Sequence, residues 1–529
     1  MITAISIENF KGIGEKQKIE LRPITLLFGA NSTGKSTILH ALLYAQEIFA
    51  RRNYDAGQTA RGGEFVDLGG FCNFVHNRDA HRNLVLRLEL DMDYTDLPSF
   101  DPELGTEVDG FPDDRFKGLI ESAYVEITVR WSRSMGRPYC SIYEVGINED
   151  RIGKITYEPG QAGAGIEVNR EHPLWSHLEY DVFVKTDDSG SGFEKRQCKG
   201  KDLLTKLQSS IHTSDASGDA LPDWQSSLNW GFANEFVPIG GADRKARLDA
   251  ALYHDISRLL VGPGQAVRDE VLKFDYLGPL RDKPARNYEP PRYPDPSRWS
   301  SGLGGWDELQ VGDETLTNEV SEWLGRADRL STGYTLQRIS YRELDVSDPS
   351  LAAVMSGRGF DEADLEDAKM ALARSPIRQR LVLVADGSKE RLMPHDVGEG
   401  ISQVIPVVVA ILGHRKKSVM IEQPELHVHP AVQTGLGDLL IEGLRDRDGI
   451  MLIETHSEHL LLRLLRRVRE ATAKTLPDGH FGLIPDQLAV YYLDTAEQAI
   501  TARQLRVTED GEFLDRWPKG FFEERIDEI

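Results

Sequence analysis

Residues 29–36 read Gly-Ala-Asn-Ser-Thr-Gly-Lys-Ser and fit the phosphate-binding pattern G-x-x-x-x-G-K-[ST] at every position. In such a glycine loop the backbone N–H groups turn inward and cradle the phosphates of a nucleoside triphosphate. Lys35 would reach the β- and γ-phosphates, and Ser36 would ligate Mg²⁺. We therefore predict a site for ATP and Mg²⁺. Its expected nucleotide-binding residues are Gly29, Asn31, Ser32, Thr33, Gly34, Lys35, Ser36 and Thr37.

A second group of polar residues follows the apolar run 419–421. Glu422 ends this run, and a carboxylate there can hold Mg²⁺ or its waters opposite the glycine loop. In many P-loop ATPases with this layout the next residue is a Glu that polarises the attacking water, but here it is Gln423. An amide cannot accept the proton, although it can orient a water by hydrogen bonds. Glu425 could take over as the base if the turn brings it close.

A histidine follows the third apolar run, residues 450–453. His456 would lie at the carboxyl end of this strand, where ligands bind in open α/β sheets, and could hydrogen-bond the γ-phosphate as a switch. The predicted metal ligands are thus Ser36 and Glu422. The predicted catalytic residues are Lys35, Glu422, Gln423, Glu425 and His456.

A fourth segment places Gly398, Gly400 and Ser402 before the apolar run 404–412. Small residues that lead into a helix N-terminus form a second anion-binding end. Taken alone, this pattern is weak, and an ordinary loop explains it better.

The elements that must position these residues are also visible in the sequence. The apolar run 24–28 predicts a short buried strand before the glycine loop. Residues 36–52 contain no Gly or Pro, and their apolar residues recur at helical spacing, which predicts a helix after the loop. Strand, loop and helix in this order are the geometry that a phosphate-binding loop requires.

Composition limits the class of protein. A chain of 529 residues is too long for one core, so we expect two or three domains. The net charge of −23 argues against nucleic acid wrapped over the whole surface, although a local basic groove stays open. Three widely spaced cysteines, no basic leader and no long apolar stretch predict a cytoplasmic protein without a membrane partner.

The order of the four segments resembles the layout of ABC-type ATPase heads. The chain is most similar to the SMC/RecF-like branch, and within it to the OLD-like ATPases of bacterial defence systems. The resemblance covers residues 1–75 and 376–529 and is matched in between only at 276–281. The segments that carry it are Ile5-Ser-Ile-Glu-Asn-Phe-Lys-Gly-Ile, Ile421-Glu-Gln-Pro-Glu-Leu-His-Val-His-Pro, Ile453-Glu-Thr-His-Ser-Glu-His-Leu-Leu-Leu-Arg and Trp517-Pro-Lys-Gly-Phe-Phe-Glu-Glu.

The resemblance implies an α/β fold: an ABC-type P-loop ATPase head interrupted by a mixed β-rich and helical insertion. It also implies a homodimer or higher oligomer, in which the glycine loop of one copy and Gly398, Gly400 and Ser402 of the other enclose one ATP. Gln423 departs from ABC heads in general and puts fast turnover in doubt. About seventy residues follow His456 without an Asp-x-Asp pair, so we expect no Toprim nuclease domain.

We predict four regions from these patterns. They are residues 1–94 and 376–470 as the two halves of the head, 95–375 as the insertion, and 471–529 as a tail that completes the head. Within the insertion, period-2 patterns predict strands at 124–131, 140–147 and 181–185, and amphipathic patterns predict helices at 248–260 and 266–274. The Pro- and Arg-rich stretch 281–298 fits an exposed linker better than a contact with a phosphate backbone.

Two classes of function compete. The first is an ATP-gated sensor or regulatory ATPase of an anti-phage defence module that controls a separate effector protein. The second is an SMC/RecF-like clamp that grips DNA in repair. The acidic net charge and the absence of sustained heptads favour the first class. Nucleic acid stays open as a partner in addition to a second copy of the chain.

Overall fold

The computed structural model describes residues 1–31, 33–63, 66–93, 97–100, 114–161, 163–185, 193–205, 211–212, 218–230, 243–293, 295–345, 362–413, 417–445, 447–496 and 499–517. Ser32 of the glycine loop and residues 518–524 of the tail motif lie outside the described residues. The described strands are β1 Ile2–Glu8, β2 Gln17–Glu20, β3 Ile24–Gly29, β4 Leu84–Asp91, β5 Ser122–Ser132, β6 Arg137–Ile147, β7 Asp150–Thr156, β8 Gly165–Val168, β9 Glu179–Lys185, β10 Phe193–Lys199, β11 Ile211–His212, β12 Phe274–Leu277, β13 Tyr334–Arg342, β14 Ile377–Ala385, β15 Arg391–Leu392, β16 Ser418–Glu422, β17 Met451–Glu454, β18 Leu488–Ala496 and β19 Ala499–Gln504.

The α-helices of the described part complete the element list. They are α1 Lys35–Arg51, α2 Phe71–Phe74, α3 Leu174–His177, α4 Gly200–Leu204, α5 Asp243–Val271, α6 Leu303–Val311, α7 Glu314–Gly325, α8 Glu362–Arg374, α9 Glu399–Gly413, α10 Pro430–Gly443 and α11 Glu458–Thr472. Among the described residues, none of these helices combines the length and the apolar character needed to cross a membrane.

A six-stranded sheet carries the predicted site. Its strand order is β12-β16-β17-β3-β18-β19, and all neighbouring strands are parallel except β18 and β19. Every residue of β3 is buried, as expected for a parallel strand covered on both faces. The strand of the glycine loop therefore lies between β17 and β18, and the strand that ends in Glu422 is one position further along. This α/β arrangement confirms the predicted fold class.

An eight-stranded antiparallel sheet packs beside it, with the order β11-β8-β7-β6-β5-β4-β1-β2. Side chains of β4 alternate between buried and more exposed, as its period-2 pattern predicts. One hydrophobic cluster joins this sheet to α1, and a second lies between the six-stranded sheet and α9, α10 and α11. The helix that follows the glycine loop is thus buried between the two sheets.

The four predicted regions remain a prediction, but strand pairing crosses two of their limits. β4 pairs with β5 across residue 95, and β12, inside the predicted insertion, pairs with the acid strand β16. The strands predicted within 124–131, 140–147 and 181–185 are present in β5, β6 and β9. The two helices predicted at 248–260 and 266–274 form one helix, α5, which contains Pro263 and ends before Phe274 begins β12.

The stretch 281–298 is largely exposed, as its composition suggests, but several of its cations bind acceptors elsewhere in the fold. Arg281 is 4% exposed, and Lys283 donates to the carbonyl of Val397. Arg286 pairs with Asp396, and Arg298 pairs with Asp307 at 2.7 Å. Composition could not show this, because the carbonyl and carboxylate partners come from distant parts of the chain. Four of the five cations of this stretch are therefore bonded to acceptors of other segments, although the Arg286 side chain stays 67% exposed.

Candidate nucleotide-binding site

The glycine loop occupies the turn between β3 and α1, as the sequence predicts. Gly34 precedes the first residue of α1 and has φ +83°, a conformation that favours glycine. The Lys35 ammonium folds back over the loop and donates to the carbonyls of Gly29 at 3.1 Å and Ala30 at 2.9 Å. Burial lowers the pKa of Lys35, whereas the nearby carboxylates favour its charged form, with Glu454 the strongest of them. The loop thus presents a helix N-terminus and a cation to one space, which suits an anion.

Gly34 is also pressed against the C-terminal hairpin. A Cβ at this position would lie 2.0 Å from Cδ1 of Ile500, a residue of β19. We therefore expect Gly34→Ala to destabilise the fold by about 2–3 kcal/mol, from overpacking and the left-handed backbone together. Gly136→Ala is the matched control, because its φ of +63° is similar but no described residue lies within 4 Å of the new Cβ. Chemical denaturation measures both differences.

Truncating the neighbouring side chain tests the cause. Ile500→Ala, combined with Gly34→Ala, should recover part of the lost unfolding free energy, because it removes the clashing methyl group but not the backbone strain. No recovery would contradict the contact between the glycine loop and β19.

Two carboxylates converge on the hydroxyl of Ser36. The hydroxyl lies 2.6 Å from Oε2 of Glu454 and 3.3 Å from Oε2 of Glu422. The two acids are paired residues in the register of β17 and β16, so their side chains leave the sheet at the same edge. Tyr276 of β12 donates to the other oxygen of Glu422 at 2.8 Å. Strand register thus aligns the two acids, and the start of α1 brings the Ser36 hydroxyl to them.

Burial shifts both carboxyl groups toward their neutral forms. Burial and the charge of Glu454 raise the pKa of Glu422 to about 7, and burial also raises the pKa of Glu454. A hydroxyl and two carboxylates are hard oxygen donors, and Mg²⁺ typically takes one or two carboxylates together with substrate phosphates and waters. The described residues contain no group of three or more His, Cys, Asp or Glu side chains that could hold a metal on its own. The donor set fits Mg²⁺ bound together with a nucleotide.

Gln423 and Glu425 lie in the acid turn, residues 422–425, which follows β16. Gln423 has φ +45°, which is uncommon for a residue other than glycine, and its side-chain amide lies near the Glu454 carboxyl, whose pKa it lowers. Glu425 folds onto the turn after β17. Its two oxygens accept from the Thr455 hydroxyl at 2.8 Å and from the backbone N–H of His456 at 2.6 Å. The acid turn therefore brings Glu425 into contact with the turn that carries His456. The role of Glu425 as general base stays a prediction.

His456 lies directly after the carboxyl end of β17, as predicted. Burial and the charge of Lys35 lower the pKa of its imidazole, which favours the neutral ring beside the glycine loop. A neutral imidazole can donate one hydrogen bond to a phosphate oxygen. Its role as a switch stays a prediction.

The Gly398–Ser402 segment lies apart from the glycine loop of the same chain. Gly398 and Gly400 line a groove of ≈ 740 Å³, shared with Arg463, Arg466 and Arg467, that no residue of the glycine loop lines among the described residues. Ser402 is fully buried, and its hydroxyl donates to the carbonyl of Glu399 at 2.9 Å. Of the three predicted residues, only the two glycines present surface to a ligand.

Several residues of the site were missed from the sequence. Glu454 and Tyr276 were visible within quoted motifs but received no role. His40, four residues after Ser36 and therefore on the same face of α1, places Nε2 3.7 Å from Oε1 of Glu422. Its other nitrogen contacts the Lys11 ammonium. The spacing from Ser36 was the one signal that could have identified His40.

Comparisons with known proteins agree with this geometry. Residues 1–108 match a family model described as an AAA ATPase domain, and residues 483–529 match a protein family of unknown function, DUF3696. Residues 177–463, more than half of the chain, match a model described as an AAA domain, putative AbiEii toxin, Type IV TA system. No curated protein matches the chain.

Two solved structures illustrate the structural likeness. The SMC head domain from Thermotoga maritima has a TM-score of 0.35 and 9% identity, covering 96% of this chain and 99% of that one. A Pyrococcus furiosus Smc head bound to the C-terminal domain of ScpA has a TM-score of 0.37 and 10% identity, covering 96% of each chain. These scores carry no argument of their own, so the fold class rests on the strand order above.

The strand order, the glycine loop and the acids at the sheet edge define a P-loop ATPase of the ABC/SMC-like type. Within that class, the chain belongs to the AAA-domain family whose model matches residues 177–463.

Proposed function

We propose that the protein binds Mg-ATP in the glycine loop, dimerises around it and hydrolyses it slowly. The observation that carries the proposal is the Ser36 hydroxyl held between Glu422 and Glu454, at the edge of the sheet where the glycine loop lies. Lys35 would contact the β- and γ-phosphates, and Ser36 with Glu422 would hold Mg²⁺. Bound Mg²⁺ would supply charge neutralisation on the phosphates. His456 would hydrogen-bond the γ-phosphate and couple its presence to closure of the dimer.

The second half of the nucleotide site would come from another copy. Gly398 and Gly400 are accessible at the start of α9 and line a groove separate from the glycine loop, which supports a role toward a nucleotide held by a partner. Ser402 would act by supporting this turn from the core. The resulting assembly would be a homodimer, or a higher oligomer, with ATP between the heads.

At the level of biology, we propose an OLD-like regulatory or sensor subunit of an anti-phage module that acts in the cytoplasm on a separate effector. The family description, which names a putative AbiEii toxin of a Type IV TA system, supports a defence context. The alternative, a DNA-binding clamp of repair, draws less support because Lys283, Arg286 and Arg298 already bind acceptors of this chain.

The deciding experiment is Mg-dependent ATP hydrolysis by the purified chain, with the mass in solution recorded with and without DNA. Slow turnover, an ATP-dependent increase in mass and no effect of DNA would support the sensor. Turnover stimulated by DNA, with binding that weakens as salt rises, would move the clamp ahead. No binding of ATP at all would overturn both.

Glu425→Gln tests the source of the general base. If Glu425 accepts the proton of the attacking water, turnover should fall by about 100-fold or more while ATP affinity changes less than about twofold. Glu442→Gln is the control, because this carboxylate is also largely buried but pairs with Arg445 and Arg329 away from the site. An unchanged rate in Glu425→Gln would rule out the base role.

A further inference from the structure

Arg281 is a buried cation without an ion pair in the described part of the chain. It follows β12 and is 4% exposed, and burial lowers its pKa to about 10. Its guanidinium donates to backbone carbonyls, at 2.6 Å to Glu422 and at 3.3 Å to Gln423. Among the described residues, the Nε of Arg281 has no hydrogen-bond partner. Burying a guanidinium in this way is costly, so the contacts that it makes with the acid turn need a reason.

Those contacts hold a strained segment. Gln423 has φ +45°, and such a conformation costs a non-glycine residue about 1–3 kcal/mol unless the surroundings enforce it. Arg281 holds the carbonyl of Gln423, and the Gln423 N–H donates to the carbonyl of Glu454 at 2.8 Å. In this conformation the backbone of Gln423 is held against Glu454, the residue whose carboxylate accepts from Ser36. Arg281 therefore acts on the site through the backbone of the acid turn.

Arg281 is in turn fixed by the first turn of α9. Gln403 accepts from the backbone N–H of Arg281 at 3.1 Å and donates to the carbonyl of Arg281 at 2.5 Å. Gln403, whose side chain makes both hydrogen bonds, is 8% exposed and lies three residues after Gly400. Continuous hydrogen bonds thus run from the start of α9, through Gln403 and Arg281, to Glu422 and Gln423.

We propose that Gln403 and Arg281 are positioning residues that couple the two nucleotide sites of the dimer. The start of α9 meets the nucleotide of the second copy, whereas Glu422 and Gln423 serve the nucleotide of their own glycine loop. A displacement of α9 on closure is transmitted through these hydrogen bonds to the acid turn and sets the Gln423 amide. This inference rests on the proposed function, because it requires an ATP-bridged dimer that hydrolyses ATP.

Gln403→Met removes both hydrogen bonds at nearly constant volume, so it tests the link without creating a cavity. We expect ATP affinity within about twofold of the parent, kcat lower by about 10-fold, and a Hill coefficient for ATP that falls to about 1. The control is Gln310→Met. Gln310 is also 8% exposed and donates to two backbone carbonyls, of Tyr288 and Gln379, outside the site. It should lose similar stability but keep kcat and the Hill coefficient.

If Gln403→Met does not fold, a second pair of variants tests the same link. Arg281→Lys keeps the charge but cannot span both carbonyls, and should reproduce the loss of kcat and cooperativity. Arg338→Lys is its control, since Arg338 likewise donates to the carbonyls of Gly312 and Leu309, elsewhere in the fold.

The outcomes separate the inference from the function on which it rests. A parent protein that neither dimerises with ATP nor hydrolyses it contradicts the proposed function. A parent that does both, with Gln403 and Arg281 variants that keep its kcat and Hill coefficient, overturns the coupling alone. Equal losses in the Gln310 and Arg338 controls would also overturn it, because they would show a general effect of stability.

Discussion

Lys35→Ala is expected to weaken ATP binding by about 100-fold. The ammonium of Lys35 is the one cation that the glycine loop itself supplies, and it donates to the carbonyls of Gly29 and Ala30, within reach of a phosphate. Loss of its charge-assisted hydrogen bonds should cost about 3 kcal/mol, or about 100-fold in Kd. Titration calorimetry of ATP in the presence of Mg²⁺ measures the effect.

Two comparisons make this result specific. Lys16→Ala removes an exposed lysine that directly precedes β2 and pairs with Glu126. This variant should leave the Kd for ATP unchanged. The Lys35→Ala protein should also unfold at or above the temperature of the parent without nucleotide, since it no longer buries an ammonium. Undiminished affinity in Lys35→Ala would mean that the glycine loop is not the ATP site.

Glu422→Gln and Glu454→Gln should each reduce Mg-dependent turnover by about 100-fold. Both carboxylates lie within hydrogen-bond distance of the Ser36 hydroxyl. Each is expected to stabilise the Mg²⁺ ion that neutralises the phosphates during hydrolysis. Because the two acids serve one ion, the double variant should lose little more than the worse single variant. Steady-state hydrolysis across this mutant cycle tests the prediction. Fully additive losses would mean that the acids act at separate places.

In the Glu454→Gln variant, the unfolding temperature without Mg²⁺ should rise although the turnover falls. The pKa of Glu422 is raised to about 7, so the stability that the protonated pair contributes is lost as pH rises from the usual Glu pKa, about 4.3, through about 7. Glu454→Gln removes the repulsion between the two charges, and at pH 8 without Mg²⁺ it should therefore unfold at a higher temperature than the parent. Glu47→Gln is the control. This buried acid of α1 accepts from Asn53 and from the backbone of Ala60, away from the site, and should leave turnover unchanged.

The site was predictable from the sequence wherever its residues follow one another in the chain. A glycine loop needs a strand before it and a helix after it, and 24–28 and 36–52 showed both patterns, which the structure has as β3 and α1. Glu422 and His456 were identifiable in the same way, because each lies at or shortly after the end of a short apolar run. These are local rules of strand, turn and helix, and no tertiary contact overrides them here.

Other features required the fold. Glu454 and Tyr276 reach Ser36 and Glu422 only because the register of parallel strands aligns their carboxyl ends, and a sequence does not state which strands are neighbours. For the same reason, the composition of 281–298 suggested an exposed linker, whereas Arg281 is buried against the acid turn. The sequence by itself determined the chemistry of the glycine loop, since that chemistry lies in consecutive backbone groups. Only the tertiary structure decided which carboxylates meet at the Ser36 hydroxyl and which cations are engaged, because side chains far apart in the chain meet through sheet order and burial.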